Sequence, residues 1–139
     1  MTKKGLLSLQ IMEIISTDGI QQREDFEKKT GCDLPTIERA IRDLIELEII
    51  NFLRGCGYVI TEHTTAFDVL CMIEEPSVMV EDNFYRVSDK NLTTILRGYN
   101  KLANELKKIE FRATSLKQIA EHKPVRYKRR IFKLFNTFK

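Results

Sequence analysis

The sequence predicts a mainly α-helical fold with one small β-hairpin: a winged helix-turn-helix followed by a long C-terminal dimerisation helix. Three observations carry that expectation. Between Gln21 and Thr61 a short helix, a Gly-bearing turn, a second helix with an apolar residue every three to four positions, and two β-rich runs follow one another. Only a short linker, Arg54-Gly55-Cys56-Gly57, separates the two runs, as a hairpin requires. From Ser88 to Ile109 a longer amphipathic stripe appears that a small winged domain has no evident use for.

Leu6, Leu9, Ile11, Met12, Ile14 and Ile15 give a first helix, ended at Thr17-Asp18-Gly19, that packs under the motif as a third wall. Phe26 marks the next, short helix, and Thr30-Gly31-Cys32 supplies a turn residue tolerant of positive φ. Asp33 caps the following helix, Pro35 needs no donor in its first turn, and Ile37, Ile41, Leu44 and Ile45 form its buried face. Ile49–Leu53 and Tyr58–Thr61 form the hairpin. Thr65 and Asp68 have capping-box spacing, and Phe67, Leu70, Cys71 and Ile73 give an apolar face until Pro76 ends the helix. Ser77 to Val87 has no period and reads as a connecting loop. The long helix takes Ser88 as its cap and repeats Leu92, Ile95, Leu96, Tyr99, Leu102, Ala103, Leu106 and Ile109, nearly three heptads of seam. Its apolar stripe either pairs with a second copy or folds back on its own domain, and pairing is the expectation. Leu92, Ile95, Leu96, Tyr99, Leu102 and Leu106 are the expected dimer contacts. Ser115 and Gln118 make a further capping box over a short helix with Leu116 and Ile119.

The division expected is therefore residues 1–76 as the winged-helix domain, 77–122 as connecting loop and dimerisation helices, and 123–139 as a basic aromatic tail. In that tail Ile131, Leu134, Phe135 and Phe138 share a helical face beside a basic one. Such a segment holds phosphate, lies on an anionic membrane, or docks its aromatics on the protein body, and docking is favoured.

With 139 residues and 42% hydrophobic content the chain has enough apolar side chains for a core. The N-terminal apolar run, broken by Ser8, Gln10 and Glu13, is too short and polar for a signal peptide or membrane span, so a cytoplasmic protein with no membrane partner is expected. The net charge of +3 conceals an asymmetry. Lys123 to Lys139 holds seven basic residues and no acidic one, which leaves −4 on the first 122. Any footprint for a polyanion must therefore be local. Cys32, Cys56 and Cys71 fit no zinc spacing and read as reduced, partly buried thiols, so no metal site or cofactor is expected. His63 and His122 have no Ser, Cys or carboxylate pattern beside them, and no Gly-rich phosphate loop occurs, so catalysis is not expected.

If the motif reads DNA, its second helix enters the major groove, and Pro35, Thr36, Arg39 and Arg42 lie away from the apolar face. Arg39 can fork onto guanine, while Arg54 and Gly55 at the wing tip reach a backbone or minor groove, and Lys3 and Lys4 clamp flanking phosphate. Against this stand five acids between Asp33 and Glu48, with only two arginines.

Several of these stretches resemble the winged-helix repressors of the iron–sulfur and nitric-oxide sensing type, the IscR and NsrR kind. The resemblance lies in Ile37-Glu38-Arg39-Ala40-Ile41-Arg42-Asp43-Leu44 running into Ile49-Ile50, in Leu53-Arg54-Gly55-Cys56-Gly57-Tyr58 as the wing, and in Phe67-Asp68-Val69-Leu70-Cys71-Met72-Ile73-Glu74 after it. The later helix closing on Leu106-Lys107-Lys108-Ile109, with Ser115-Leu116-Lys117-Gln118-Ile119, is similar to the family's dimerisation arm. Glu48 stands where the family usually has Gly, and the wing is shorter. The three grouped cysteines of cluster-binding members have no counterpart here, since no Cys follows Cys71. What the resemblance implies is a homodimeric transcriptional regulator of the repressor type, without a cluster, on a two-fold symmetric double-stranded DNA site. The rival expectation is a winged-helix module that contacts another protein and does not read DNA.

Overall fold

Helix α1 (Lys3–Asp18) runs through the middle of the molecule and is buried nearly all round, from Gly5 through Ser16. The computed structural model describes residues 2–74, 92–121 and 130–138, with residues 92–99 and 135–138 described by backbone alone. Around α1 stand α2 (Arg23–Thr30), α3 (Leu34–Glu46), β1 (Ile50–Leu53), β2 (Gly57–Ile60), β3 (Thr64–Thr65) and α4 (Ala66–Ile73). Then come α5 (Leu92–Lys107), β4 (Glu110–Phe111), α6 (Leu116–Glu121) and α7 (Ile131–Phe138). The fold is mainly helical, with two small antiparallel pairs, β1–β2 and β3–β4. A helix apolar on every side needs cover on every side. The sequence reading made α1 one wall of the core; it is the axis instead.

Local chemistry explains the α2–α3 region. Gly31 ends α2 in the left-handed conformation at φ 76°, and its N–H returns to the Glu27 carbonyl at 3.0 Å. Asp33 caps α3 by accepting from the Thr36 N–H at 3.1 Å. At the other end of α3, the Ile49 N–H donates to the Leu44 carbonyl at 3.1 Å and the Glu48 N–H to the Ile45 carbonyl at 2.9 Å. These are the two bonds of a Schellman close, with buried Leu44 and Ile49 as its apolar contact. The residue that must turn left-handed there is Glu48, at φ 61°. The hairpin pairs Ile50 with Ile60 through Leu53 with Gly57, and the Cys56 N–H closes its turn on the Leu53 carbonyl at 2.9 Å.

The rest of the chain is bound to this unit by contacts between distant residues. The Glu74 carboxylate sits against the first turn of α1, where it accepts from the Thr2 N–H at 2.7 Å and the Thr2 hydroxyl at 2.5 Å. An anion at a helix N-terminus is favourably placed. A Cβ on Gly5 would lie 2.1 Å from Glu74 Oε1, so only glycine admits this close approach. Past α5 the chain returns to the hairpin. The Thr114 N–H donates to the Ile60 carbonyl at 2.8 Å, and the Ile60 N–H to Thr114 Oγ1 at 3.0 Å. Helix α7 is anchored by Ile131, fully buried, whose N–H donates to the buried Glu13 carboxylate at 3.0 and 3.1 Å. Phe132 and Leu134 pack half-buried beside it. One core therefore unites residues 7–70 with Leu106, Ile109, Phe111 and Ile131.

Several expectations change. Ile45 is 37% exposed rather than on the buried face of α3, because its neighbour Leu44 fills the inward position at the end of the helix. On α4 it is Ala66, Val69 and Leu70 that face inward, while Cys71 is exposed. Burial still pushes the Cys71 thiol up, with the Asp68 charge adding to it. Leu106, expected in a dimer seam, is 1% exposed in the chain's own core, and Leu102 packs against that core. This C-terminal half of the stripe folds back, because α5 lies along α4. The side chains of Leu92, Ile95, Leu96 and Tyr99 lie outside the described residues, as do the Ser77–Val87 connection, the Ser88 cap and residues 122–129. At Ser115 and Gln118 the capping box is complete, with bonds of 2.7 and 3.1 Å. Leu116 above it is 85% exposed.

Candidate nucleic-acid interface

The surface that the sequence singled out is assembled by α3, the start of α2 and the hairpin tip. Helical periodicity sets Pro35, Arg39 and Arg42 along one side of α3, with Thr36 adjoining, and all four are exposed. Their helix is held by Ile37, Ala40, Ile41 and Leu44 on the opposite side. Arg54 and Gly55 are exposed at the tip of the hairpin, where Gly55 takes φ 84°.

A chain of contacts brings the hairpin tip toward α3. Gln22 Nε2 donates to the Cys56 carbonyl at 2.8 Å, and the adjacent Arg23 pairs with Glu38 on α3 at 3.0 Å. A ladder of rings supports the same junction. Buried Phe26 meets Tyr58 at 6.0 Å between centroids, and Tyr58 meets Phe52 at 5.0 Å. Burial pushes the Tyr58 phenol up. Phe52 ends the ladder 47% exposed.

The five acids that opposed an anionic partner are distributed unevenly. Asp33 is spent on the α3 cap. Hydrogen bonding from Thr36, side chain first and backbone second, holds its carboxyl below the usual range, and the charge of Arg39 contributes. Glu38 is taken by Arg23, whose guanidinium is raised above its ordinary value by the Glu24 hydrogen bond and then by the Glu38 charge. Asp43 is taken by Lys4 at 2.7 Å. Glu46 and Glu48 lie at the far end of the helix. Among the described residues, Arg39 and Arg42 make no ion pair. The acidic count of the stretch thus overstates the negative charge beside its first turns, although exposed pairs of this kind are individually weak.

Lys4 and Thr36 are placed differently from expectation. Lys4 braces Asp43 across α1 and α3, and Thr36 is engaged with Asp33. Lys3 is exposed on the first turn of α1. Sequence reasoning missed Arg23 and Phe52. For Arg23 no local signal existed, since its partner lies fifteen positions away. For Phe52 the signal was available: a large aromatic two residues before the hairpin turn.

Among the described residues, no group of three or more His, Cys, Asp and Glu side chains is arranged to hold a metal ion, and no helix is long and apolar enough to cross a membrane. His63 stands 3.9 Å from Glu110, far from the α3 surface in sequence. Comparison with family models finds no match, and none of the curated proteins matches the chain.

Proposed function

We propose that this chain is a winged-helix DNA-binding regulator, with α2 and α3 as the helix-turn-helix, α3 as the reading helix and the β1–β2 hairpin as the wing. The single observation that carries the proposal is the charge arrangement on α3. Arg39 and Arg42 stand exposed on one side, while Glu38 and Asp43 are each occupied by a cation from another helix. In this reading Arg39 forks onto a base edge, Arg42 follows the phosphate backbone, Arg54 reaches the adjoining groove from the wing tip, and Pro35 and Thr36 face the groove edge. The exposed Phe52 ring lies near that tip and offers an apolar contact to sugar or base.

Homodimerisation belongs to the same proposal in reduced form. Leu102 and Leu106 are used inside the chain, so a seam would have to rest on Leu92, Ile95, Leu96 and Tyr99. Changing Leu96 to Asp should convert dimer to monomer in light scattering, and an unchanged mass would remove dimerisation from the reading.

The deciding experiment is selection from random duplexes, followed by anisotropy titrations over a range of salt. An enriched site is expected, with its affinity reduced about tenfold or more by Arg39→Ala, which removes one forked base contact. Arg54→Ala should lower the salt slope by about 0.9 if it meets one phosphate. No enrichment, with affinity indifferent to Arg39 and Arg42, would favour the rival reading of a protein-docking module.

A further inference from the structure

A cavity of about 160 Å³ opens on the opposite side of α1, between that helix, the α5–β4 connection and the start of α7. Glu13, Ser16 and Thr17 line it from α1, Lys108 and Arg112 from the connection, and Arg130 from the residue before α7. Helical Ser and Thr hydroxyls ordinarily return to the carbonyl four residues back. Ser8 does so on Lys4 at 2.9 Å, and Thr30 on Phe26 at 2.6 Å. Ser16 and Thr17 do not. Both hydroxyl oxygens are buried with no hydrogen-bond partner, and Ser16 as a whole is only 6% exposed. Unpartnered buried hydroxyls in the wall of a cavity point to a polar occupant.

The charge around the opening says which kind. Three cations meet there from two separate segments. Lys108 is paired with Glu105 at 3.2 Å, and Arg130 gives the Lys108 carbonyl one long bond of 3.4 Å, leaving most of its fork of donors available. Of the two acids in the lining, Glu13 accepts the Ile131 N–H, and Glu110 lies 3.9 Å from His63. Arginine forks match planar carboxylates and phosphates. A cavity of roughly 150 Å³ holds a molecule the size of benzene, so the space suits an occupant of six to ten heavy atoms.

We propose that this cavity binds a small oxyanion-bearing molecule, a carboxylate or phosphate, whose charge lies between Arg112 and Arg130. Bound there, it ties α7 to α1 and stabilises their junction. The inference does not depend on DNA binding.

The test is calorimetric titration and thermal unfolding of the full chain with inorganic phosphate and, separately, with succinate, against chloride at matched ionic strength. Saturable binding of at least one anion is expected, with a rise in melting temperature of roughly 3–5 °C at saturation. Binding of succinate alone identifies the class as carboxylate, and of phosphate alone as phosphate. The double variant Arg112→Gln/Arg130→Gln should weaken binding at least about tenfold, Ser16→Ala severalfold, and Lys117→Gln, on exposed α6, should leave it unchanged. If the double Gln variant does not fold, Arg112→Lys/Arg130→Lys keeps the charge while losing the fork and should still bind more weakly. Responses to both anions equal to that of chloride, or binding that survives these variants intact, would overturn the proposal.

Discussion

The α2–α3–hairpin region and the region from α5 onward are held together in opposite ways. In the first, the caps and turns are made by residues three to five positions apart, such as Asp33 with Thr36 and Leu44 with Ile49. In the second, the decisive partners are remote, with Ile131 held by Glu13 across 118 positions and Ile60 by Thr114 across 54. Elements with local signals can begin to form before the chain closes, whereas α7 gains its anchor only after α1 is in place. The lesson is that equal burial does not mean equal dependence on the rest of the fold.

Replacing buried side chains tests that contrast most strongly. Phe26, fully buried beneath α2, should cost about 3–5 kcal/mol as Phe26→Ala and unfold the molecule cooperatively in urea. Ile131 has the same zero exposure, but α7 can detach alone. Ile131→Ala should therefore cost about 2–3 kcal/mol, at the low end for its class, with amide exchange accelerated in α7 and unchanged in α3. Equal losses and uniform exchange would erase the distinction. Gly5→Ala forces a Cβ onto Glu74 and should cost about 1–3 kcal/mol by denaturant titration, by breaking the bond from α4 to the α1 terminus.

Two smaller changes sharpen the local side of the comparison. Glu48 carries a left-handed backbone that costs an L-residue about 1–2 kcal/mol, partly offset by glycine's greater freedom when unfolded. Glu48→Gly should therefore stabilise the chain by about 0.5–1 kcal/mol, read as a higher urea midpoint with unchanged slope. The smallest effect belongs to the Asp33 cap. Its folded pKa lies below the unfolded one, so its contribution is complete above the ordinary Asp value of about 3.9 and is lost as pH falls through the lower folded value. An Asp33→Asn comparison should show the two proteins converging in stability only at that acid end.

Sequence alone determined the elements whose causes are local. Gly31, Asp33 with Pro35, the Ile37–Ile41–Leu44 face, the Gly-bearing hairpin turn and the Ser115–Gln118 box each state their conformation within one helical turn or one hairpin. It also singled out the exposed arginines of α3, because the apolar face fixes which side is left over. Tertiary structure decided what depended on partners far away. The two-residue strands Thr64–Thr65 and Glu110–Phe111 are too short to carry a period, and each exists only as the other's complement. Nothing near Glu13 announces that it caps a helix 118 positions later. Whether Leu106 joins a second copy or its own core is the same apolar signal in either case, settled only by α5 lying along α4. The effective charge of α3 was likewise invisible, since Arg23 and Lys4 reach Glu38 and Asp43 only once three helices have packed. Periodicity tells a residue which way to face, and only the assembled chain supplies what it faces.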